Sequence, residues 1–295
     1  MSTAAPSWEL LETFLVVLRS GSLSAASRAL DVAQPTVRRR IEALESALGT
    51  VLFTRAANGL VPTDAAELTR SSAEAMESAA RAVVRSASGA LDDPKGTVRL
   101  TASKVMGAEV LPGLLAPLLT EAPGLQIELA TSNRLADLLR RDADVAVRMA
   151  APTQAALVAR RAGAIPIGFF AHERYLRGRE APKRLADLAA HTLVGSDHER
   201  ALIGALAAMG LELAPRDFAF RTDDDVAQLA AIRAGLGIGA CQVPLGRRAG
   251  LVRVLPKLTL PLETWVVMHE DLRRVRRVRM VFEHLTRALG EYLGS

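Results

Sequence analysis

With 295 residues, 49% of them hydrophobic, the chain is long enough for roughly two or three domains with sizeable cores, which argues against extended disorder. Its single cysteine, Cys241, excludes a disulfide framework and favours a reducing compartment. The N-terminus has no basic segment followed by an apolar run, and no apolar stretch reaches the about 18 residues that a membrane-spanning helix needs. We therefore expect a soluble, cytoplasmic protein that does not span a membrane.

The net charge of +5 is compatible with a nucleic acid partner, but its distribution matters more than its sum. Residues 1–91 hold nine arginines and nine acidic residues, so this segment is neutral overall. Positive charge is concentrated at Arg38, Arg39 and Arg40 and in the stretch DLRRVRRVR at 271–279. The second cluster is interpreted as a solvated helix face, the usual role of such a run.

Three short helices are predicted in the first segment. The run WELLETFLVVLR at 8–19 has apolar residues on one face at helical spacing: Leu11, Phe14, Leu15 and Leu18. Ser22 can cap a second helix that runs to about Leu30. After the turn DVAQ, a third helix opens with Pro35 near its first position, where a missing N–H is no loss, and Gly49 is its candidate C-cap. The buried stripe of the third helix, with intervals of four, three and four residues, is Val37, Ile41, Leu44 and Leu48.

A β-hairpin and a long helix are predicted next. The segments TVLFTR and GLVPT flank AANG, a pattern typical of a short hairpin. From Asp64 to about Ala90 the chain is alanine-rich, with apolar residues at helical spacing. Such a helix is too long to pack on a small first domain alone, so an interface between two chains is its expected use. The segment DDPKG at 92–96 is a linker by composition.

Beyond this linker, strands alternate with helices. The candidate strands are TVRLTA, QIELAT, DVAVRM, IPIGFFA, HTLVG, DFAFRT and GIGAC. Helical runs lie between several of them, at 104–119, 133–141, 199–209 and 224–234. Alternation of this kind predicts an α/β architecture with a mostly parallel sheet.

A short helix, a tight turn and a second helix that starts with polar residues form the arrangement of a helix-turn-helix motif. In that geometry the N-terminal part of the second helix enters the major groove of DNA. Measured against the buried stripe, Pro35, Thr36 and Arg39 project outward. Arg38 and Arg40 lie on the flanks. The sequence therefore predicts a DNA-binding surface at the start of this helix.

These residue types have defined contacts with DNA. Gln34 can pair with adenine and an arginine with guanine, each good bidentate contact discriminating by ~1–3 kcal/mol. Arginines on the flanks can instead hold phosphates, which position the protein without specifying sequence. Arg55 in the hairpin would reach along the DNA backbone as a wing. From the residues alone, the alternative of a small helical domain with an exposed arginine cluster stays open.

The stretch from Phe14 to Leu68 carries a more specific pattern. It contains short motifs at fixed spacing: Gly21-Ser22, Ala25-Ala26, Gln34-Pro35, Leu44-Glu45, Leu48-Gly49, Leu52-Phe53, Arg55 and Thr63-Asp64-Ala65. This pattern resembles the DNA-binding domain of LysR-type transcriptional regulators. The chain has Ala33 where the family usually has serine, and Arg38 where the family commonly has serine before arginine. Its operator preference is therefore expected to differ from the family norm.

The resemblance extends over the whole chain and implies its organisation. A winged helix-turn-helix domain would cover 6–63, with the motif at 22–41, and a dimerising linker helix would follow at 64–91. Residues 92–295 would form an α/β effector-binding domain of two Rossmann-like subdomains joined by two crossover strands, similar to periplasmic binding proteins. Subdomain I would take about 97–165 and 268–295, and subdomain II about 166–267.

The same resemblance implies the partners. We expect double-stranded promoter DNA, a small-molecule effector between the subdomains, a homodimer or homotetramer, and a contact with RNA polymerase. Ser22 and Ser24 join the candidate DNA contacts because they begin the first helix of the motif. No cofactor, metal or catalytic residue is expected.

Three polar corners follow strands in the α/β portion. Parallel sheets bind ligands at the carboxyl ends of their strands, and helix N-termini there offer free N–H groups to anions. The corners are LTASK with Thr101 and Ser103, LATSNRL with Thr131, Ser132 and Asn133, and FRTDDDV with Thr222 and Asp223. We predict that they converge on an effector cleft, where Ser103 and Ser132 resemble hydroxyl positions that touch effectors in family members. The alternative is ordinary helix capping, and aspartates 223–225 would repel an anionic ligand if they faced the cleft.

Two other classes of protein are disfavoured. The glycines of AGLGIGACQVP at 234–244 follow a helix and enter a strand, whereas a dinucleotide fingerprint follows a strand and opens a helix. The five histidines show no metal-ligand spacing, and Cys241 is interpreted as a buried small residue in an apolar strand. Since no nucleophile elbow or P-loop occurs either, an enzyme is not expected. A periplasmic solute-binding protein with an appended helical module is disfavoured by the missing signal sequence.

Overall fold

The computed structural model describes residues 5–56, 59–87, 91–133, 143–152, 156–196 and 200–294. Within these ranges the chain divides into two compact units, one ending at Ala87 and the other containing the described residues from Leu91 onward. No helix in the described ranges has both the length and the apolar character needed to cross a membrane.

The first unit consists of helices and one hairpin: α1 Trp8–Ser20, α2 Leu23–Leu30, α3 Gln34–Leu48, β1 Phe53–Ala56, β2 Gly59–Pro62 and α4 Asp64–Ala87. Its core forms around Phe14, Val37 and Leu44, each 0% exposed. Burial of such side chains stabilises helices that are too short to persist alone. The predicted helices and hairpin are confirmed. Leu48, expected in the buried stripe, is instead 38% exposed, since it is the last residue of α3.

The hairpin packs against the turn between α1 and α2. Gly21 ends α1 with a φ of 66°, which glycine adopts without steric penalty. Ser22 caps α2 as predicted, its Oγ accepting the N–H of Ala25 at 3.1 Å. The N–H of Leu60 donates to the carbonyl of Gly21 at 2.9 Å. A Cβ atom on Gly59 would lie 2.6 Å from that carbonyl oxygen, so only glycine allows this close approach.

Helix α4 buries one face in the first unit and leaves apolar side chains exposed elsewhere. Ala66 and Ala73 are buried in the core. Leu68, Met76 and Val83 are 80%, 44% and 68% exposed. The long helix is confirmed, and its predicted end near residue 90 lies outside the described residues.

The second unit is built on one sheet of nine described strands. They are β3 Gly96–Ala102, β4 Leu125–Thr131, β5 Val145–Arg148, β6 Leu157–Ala171, β7 Leu193–Ser196, β8 Phe218–Thr222, β9 Ile238–Gln242, β10 Val252–Val254 and β11 Leu260–His269. The strand order is β4-β3-β5-β11-β6-β9-β7-β8, and β10 pairs with β6. The described α-helices of this unit are α5 Leu111–Glu121, α6 Glu173–Leu176, α7 Arg200–Ala208, α8 Asp225–Arg233, α9 Val243–Arg248 and α10 Arg276–Gly294.

The sheet is mixed, so the expectation of a mostly parallel sheet is wrong for its middle. Strands β4, β3 and β5 are parallel at one end, and β9, β7 and β8 are parallel at the other. Between them β6 and β11 run antiparallel to each other and to their outer neighbours. We call the two parallel ends lobe I (β3–β5 with α5 and α10) and lobe II (β7–β9 with α7 and α8). The long strands β6 and β11 pass between the lobes and join them.

Several elements of this unit differ from the sequence prediction. The candidate strands correspond to β3 through β9, but β10, β11, α9, α10 and the first half of β6 were not predicted. The predicted helix at 104–119 is a π-helical turn, Met106–Val110, followed by α5. The predicted helix at 133–141 falls almost entirely outside the described residues. The basic cluster at 271–279 was predicted to be a solvated helix face. This prediction is wrong for Arg277, which is only 4% exposed and lies on the buried side of α10.

Candidate DNA-binding surface and effector cleft

The first turns of α3 present polar side chains to solvent. Gln34, Pro35, Arg38 and Arg39 are exposed, and Thr36 is partly exposed. Within the described residues, the side chains of Gln34, Arg38 and Arg39 make no hydrogen bond or ion pair. A helix N-terminus carries partial positive charge, which adds to that of the two arginines. The fold therefore brings these five predicted residues together on one surface that can meet a polyanion.

Arg40, the third arginine of the run, has a different environment. Its guanidinium forms an ion pair with Glu9 of α1 and donates a hydrogen bond to Oγ1 of Thr13 at 3.4 Å. The side chain of Arg40 is only 18% exposed. Arg40 therefore holds α3 against α1 and does not share the exposed surface of its two neighbours.

The other predicted DNA contacts lie on α2 and the hairpin. The Ser22 hydroxyl caps α2, whereas Ser24 in the first turn of α2 is exposed. Arg55 is exposed on β1, where it pairs in register with Leu60 of β2. Among the described residues, nothing forms a hydrogen bond or ion pair with the Arg55 side chain. Ser24 and Arg55 are thus available to a ligand, while Ser22 already has a structural role.

Two of the predicted polar corners of lobe I are joined by hydrogen bonds. Residues 103 and 104 follow β3, and residues 132 and 133 follow β4. The N–H of Ser132 donates to the carbonyl of Ala102 at 2.9 Å. The N–H of Lys104 donates to Oδ1 of Asn133 at 3.0 Å. Ser103 is partly buried between these contacts, and Thr131 is exposed at the end of β4.

The third corner, on lobe II, contacts the first, on lobe I, through an ion pair and a hydrogen bond. Lys104 Nζ lies 2.9 Å from Oδ2 of Asp224, and the N–H of Val105 donates to Oδ2 of Asp225 at 3.3 Å. The hydrogen bond between Lys104 and Asp224 raises the pKa of the lysine and lowers the pKa of the aspartate. Two of the three aspartates are therefore engaged with lobe I, and Asp223 alone is exposed. Thr222 is partly buried, and its Oγ1 accepts the N–H of Asp224 at 3.1 Å.

A second ion pair joins the lobes. Both Nη atoms of Arg233 in α8 contact the carboxylate of Glu109, at 2.6 and 2.7 Å. Arg248 of α9 donates to the backbone carbonyl of Glu109. The hydrogen bond from Arg233 lowers the pKa of Glu109. Glu109 lies in the π-helical turn, so this unusual turn carries one of the bridges.

Sequence reasoning missed two buried polar residues near the predicted corners. Arg148, at the end of β5, is 5% exposed and donates from Nη2 to Oγ1 of Thr101 at 3.2 Å, Thr101 itself being 4% exposed. Gln242, at the end of β9, is 5% exposed and accepts a hydrogen bond from the Tyr292 hydroxyl at 3.2 Å. A polar residue ending an otherwise apolar strand, as in DVAVRM, is the signal that could have found them.

The residues considered for catalysis have structural explanations. Burial raises the pKa of the Cys241 thiol to about 12, so the reactive thiolate is scarce at neutral pH. A Cβ atom on Gly237 would lie 2.3 Å from the carbonyl oxygen of Thr192, which accounts for a glycine at the entry to β9. In the described part of the chain, no cluster of three or more His, Cys, Asp or Glu residues could hold a metal ion.

The first unit is a winged helix-turn-helix, an arrangement that binds DNA in proteins that share it, and the second is an α/β unit of two lobes bridged by ion pairs. The family model described as bacterial regulatory helix-turn-helix protein, lysR family, matches residues 8–67. The model described as LysR substrate binding domain matches residues 91–290. The chain belongs to the LysR family and is a transcriptional regulator, not an enzyme.

Individual relatives agree with this family over nearly the full chain. The HTH-type transcriptional activator AaeR of Escherichia coli K12 is 30% identical over 94% of this chain and 92% of its own length. The full-length virulence activator AphB of Vibrio cholerae, 21% identical, covers 95% of this chain and 98% of its own with a TM-score of 0.60. Full-length CbnR complexed with its target DNA, 22% identical, covers 96% and 99% with a TM-score of 0.65.

Proposed function

We propose that this regulator reads promoter DNA with the first turns of α3 and holds the flanking backbone with its hairpin. The observation that carries the proposal is the exposed pair Arg38 and Arg39, which make no hydrogen bond or ion pair with any described residue. Together with Gln34 they lie at the start of a helix whose opposite face is buried. Exposed arginines that lack acidic partners are available for guanine edges and phosphates. CbnR, which shares this fold, has been solved in complex with its target DNA, which supports DNA as the ligand.

Each predicted DNA contact has a proposed role. Gln34, Pro35, Thr36 and Arg39 project from α3 and are assigned to base edges. Arg38 is assigned to the flanking phosphates, together with Ser24 and with Ser22, whose hydroxyl oxygen accepts the N–H of Ala25 and whose hydroxyl proton is left to donate to a phosphate. Arg55 is assigned to the backbone beyond the groove, as the wing. Arg40 is assigned to holding α3 in place, because its guanidinium is engaged by Glu9.

The remaining organisation is proposed on the same basis. We assign the DNA-binding domain to 6–63, the dimerising helix to 64–91 and the effector domain to 92–295. The exposed apolar side chains of α4 suit a contact between two copies, which gives a dimer or, through further contacts, a tetramer. A cytoplasmic location follows from promoter DNA as the ligand, and the activator names of relatives support a contact with RNA polymerase.

The effector is proposed to bind between the lobes. The residues assigned to it are Thr101, Ser103, Thr131, Ser132, Asn133, Thr222 and Asp223, with Lys104 and Arg148 added from the geometry. The ion pairs Lys104–Asp224 and Glu109–Arg233 bridge the lobes, and the effector is proposed to act by strengthening or breaking them. It alters promoter binding only if its affinity differs between two arrangements of the assembly.

Two adjacent arginines provide a matched test of the DNA-binding surface. Arg39→Ala is expected to weaken binding to promoter DNA, by ~1–3 kcal/mol if a bidentate base contact is lost, while thermal stability is unchanged. Arg40→Ala removes the same charge but breaks the contact with α1, so it should lower the melting temperature by a few degrees, as a loss of ~1 kcal/mol does in a small domain. Fluorescence anisotropy on promoter DNA and circular dichroism melting measure the two effects.

The opposite pattern would contradict the assignment. If Arg39→Ala binds promoter DNA as tightly as the wild type does, α3 does not use that residue in the groove. If Arg40→Ala melts like the wild type and loses DNA binding as Arg39→Ala does, the two residues share one surface after all.

A further inference from the structure

The carboxylate of Glu45 connects the end of α3 to the start of the hairpin. Its Oε1 accepts hydrogen bonds from the backbone N–H groups of Leu52 at 2.7 Å and Phe53 at 3.2 Å. Hydrogen bonds to an ionised acceptor are stronger than those between neutral groups. Leu52 is 0% exposed and Phe53 begins β1, the strand that also carries Arg55. One side chain of α3 thus determines where the wing starts.

The backbone of Glu45 serves the same junction. Its carbonyl accepts the N–H of Gly49, which ends α3 with a φ of 69°, and the N–H of Thr50 at 3.1 Å. This pattern of two bonds closes the last turn of a helix and fixes the direction in which the chain leaves it. The path from α3 to β1 is therefore held at both of its ends by a single residue.

The hydrogen bonds continue from the hairpin to α4. The N–H of Thr63 donates to the carbonyl of Leu52 at 3.0 Å, and its hydroxyl donates to the carbonyl of Val51 at 2.8 Å. The same hydroxyl accepts the N–H of Ala66 at 3.3 Å in the first turn of α4. Helix α3, the wing and α4 are thus joined through Glu45 and Thr63.

Glu45 itself is a poor DNA ligand. Its carboxylate would repel phosphates, and the atom Oε1 is already taken by two backbone donors. Glu42, one turn earlier on α3, is by contrast exposed and makes no hydrogen bond or ion pair with any described residue. The two glutamates therefore lie on the same helix and carry the same charge, but only Glu45 makes hydrogen bonds with the hairpin.

We propose that Glu45 is a positioning residue for DNA binding, which sets the wing at a fixed position relative to α3. When α3 lies in the major groove, this position brings Arg55 to the backbone. The inference rests on the wing contact of Arg55 given under the proposed function. It adds that the contact depends on a carboxylate that never touches DNA.

The main test is a double-mutant cycle on promoter DNA over a series of salt concentrations. Glu45→Ala should weaken binding about as much as Arg55→Ala. Each should make the negative slope of log affinity against log salt less steep by about 0.9, the value for one phosphate. The double variant Glu45→Ala/Arg55→Ala should bind within about twofold of Glu45→Ala alone, since coupled residues are not additive. Glu42→Ala is the matched control and should not couple to Arg55.

Conservative variants separate positioning from simple stability. Glu45→Gln keeps an oxygen that can accept both N–H groups, so it should retain binding within about twofold. Glu45→Asp keeps the charge but is one methylene shorter, so it should fold and still lose the salt-slope contribution of Arg55. Two results would overturn the proposal. In one, the double variant loses DNA affinity by the product of the two single losses. In the other, replacing Arg55 in the Glu45→Asp background still reduces the salt dependence as much as it does in the wild type.

A measurement made without DNA separates the role of Glu45 in holding the hairpin from the contact of Arg55 with DNA. In hydrogen exchange, Glu45→Ala or Glu45→Asp should speed exchange at Leu52 and Phe53, whereas Glu42→Ala should leave both unchanged. If Arg55→Ala binds like the wild type while this acceleration is seen, the wing contact fails and Glu45 still positions the hairpin. Unchanged exchange in the Glu45 variants would overturn the role of Glu45 whatever Arg55 does.

Discussion

Arg38, Arg39 and Arg40 are adjacent in sequence, yet their side chains have different partners. The first two are exposed, and the third is engaged by Glu9 of α1. Helical spacing predicted that Arg39 projects outward and that the other two lie on the flanks. It could not predict which flank faces α1, because that depends on how the helices pack. In a run of charged residues, the partners and exposure of each side chain therefore have to be known before a function is assigned to it.

The aspartates at 223–225 show the same limit where the two lobes meet. The sequence suggested that they would repel an anionic ligand, since three adjacent carboxylates carry much negative charge. Asp224 is in fact paired with Lys104, a residue more than a hundred positions earlier in the chain. Such a pairing across lobes has no local sequence signal.

The two carboxylates that bridge the lobes give a prediction about pH. Lys104 lowers the pKa of Asp224, and Arg233 lowers that of Glu109. A carboxylate whose pKa is lower in the folded state adds stability above its unfolded pKa of about 4, and this is lost as the pH falls through the folded value. Asp224→Asn/Glu109→Gln should therefore melt below the wild type at pH 7, and the difference should shrink as the pH falls below about 4.

Asp223→Asn is the matched control for this experiment, because Asp223 is exposed and adjacent to Asp224. Melting curves followed by circular dichroism at several pH values measure the effect. An equal difference between wild type and double variant at both ends of the pH range would show that the bridges contribute nothing through their charge.

At the scale of elements, the sequence predicted the helices and strands that have a local pattern. It missed the strands that form only because they pair with distant parts of the chain. Helices α1 to α3 follow directly from apolar spacing and caps. Strand β11 and the first half of β6 were missed because they contain Pro261, Glu263, Arg160 and Arg161, which are untypical of buried strands. They are strands because they pair with each other over ten positions. The start of α10 was interpreted as a charge run, although Val278, Val281 and Leu285 form a buried helical stripe within it.

Helix α4 leads to the prediction that concerns assembly. Leu68 and Val83 are 80% and 68% exposed, and burying such a side chain contributes ~1.5–3 kcal/mol. Leu68→Glu/Val83→Glu should therefore shift the protein toward monomer by roughly tenfold or more in dissociation constant. Sedimentation velocity over a range of concentrations measures the shift.

Ser72→Glu, an exposed polar position on the same helix, is the control for added charge. An oligomer that survives the double substitution unchanged would mean that another surface joins the copies. In that case the exposed apolar side chains of α4 would need a different explanation.

At the scale of the whole molecule, the two units perform separate tasks within one regulator. The first carries an exposed basic surface on α3, and the second carries two lobes bridged by ion pairs. Coupling between them requires that a ligand in the cleft favours one arrangement of the assembly over another. The family is evident from the sequence, because its motifs lie in one short segment. The ion pairs that join the lobes are not, since they link residues distant in the chain.

The central claim is that α3 gives this regulator sequence-specific binding to promoter DNA. The most direct measurement is fluorescence anisotropy of the purified protein on DNA from upstream of its own gene and on a scrambled duplex, over several salt concentrations. We predict a preference of ~10³ or more for the native fragment, with affinity that falls as salt rises. Absence of binding to either duplex at low salt would contradict the claim.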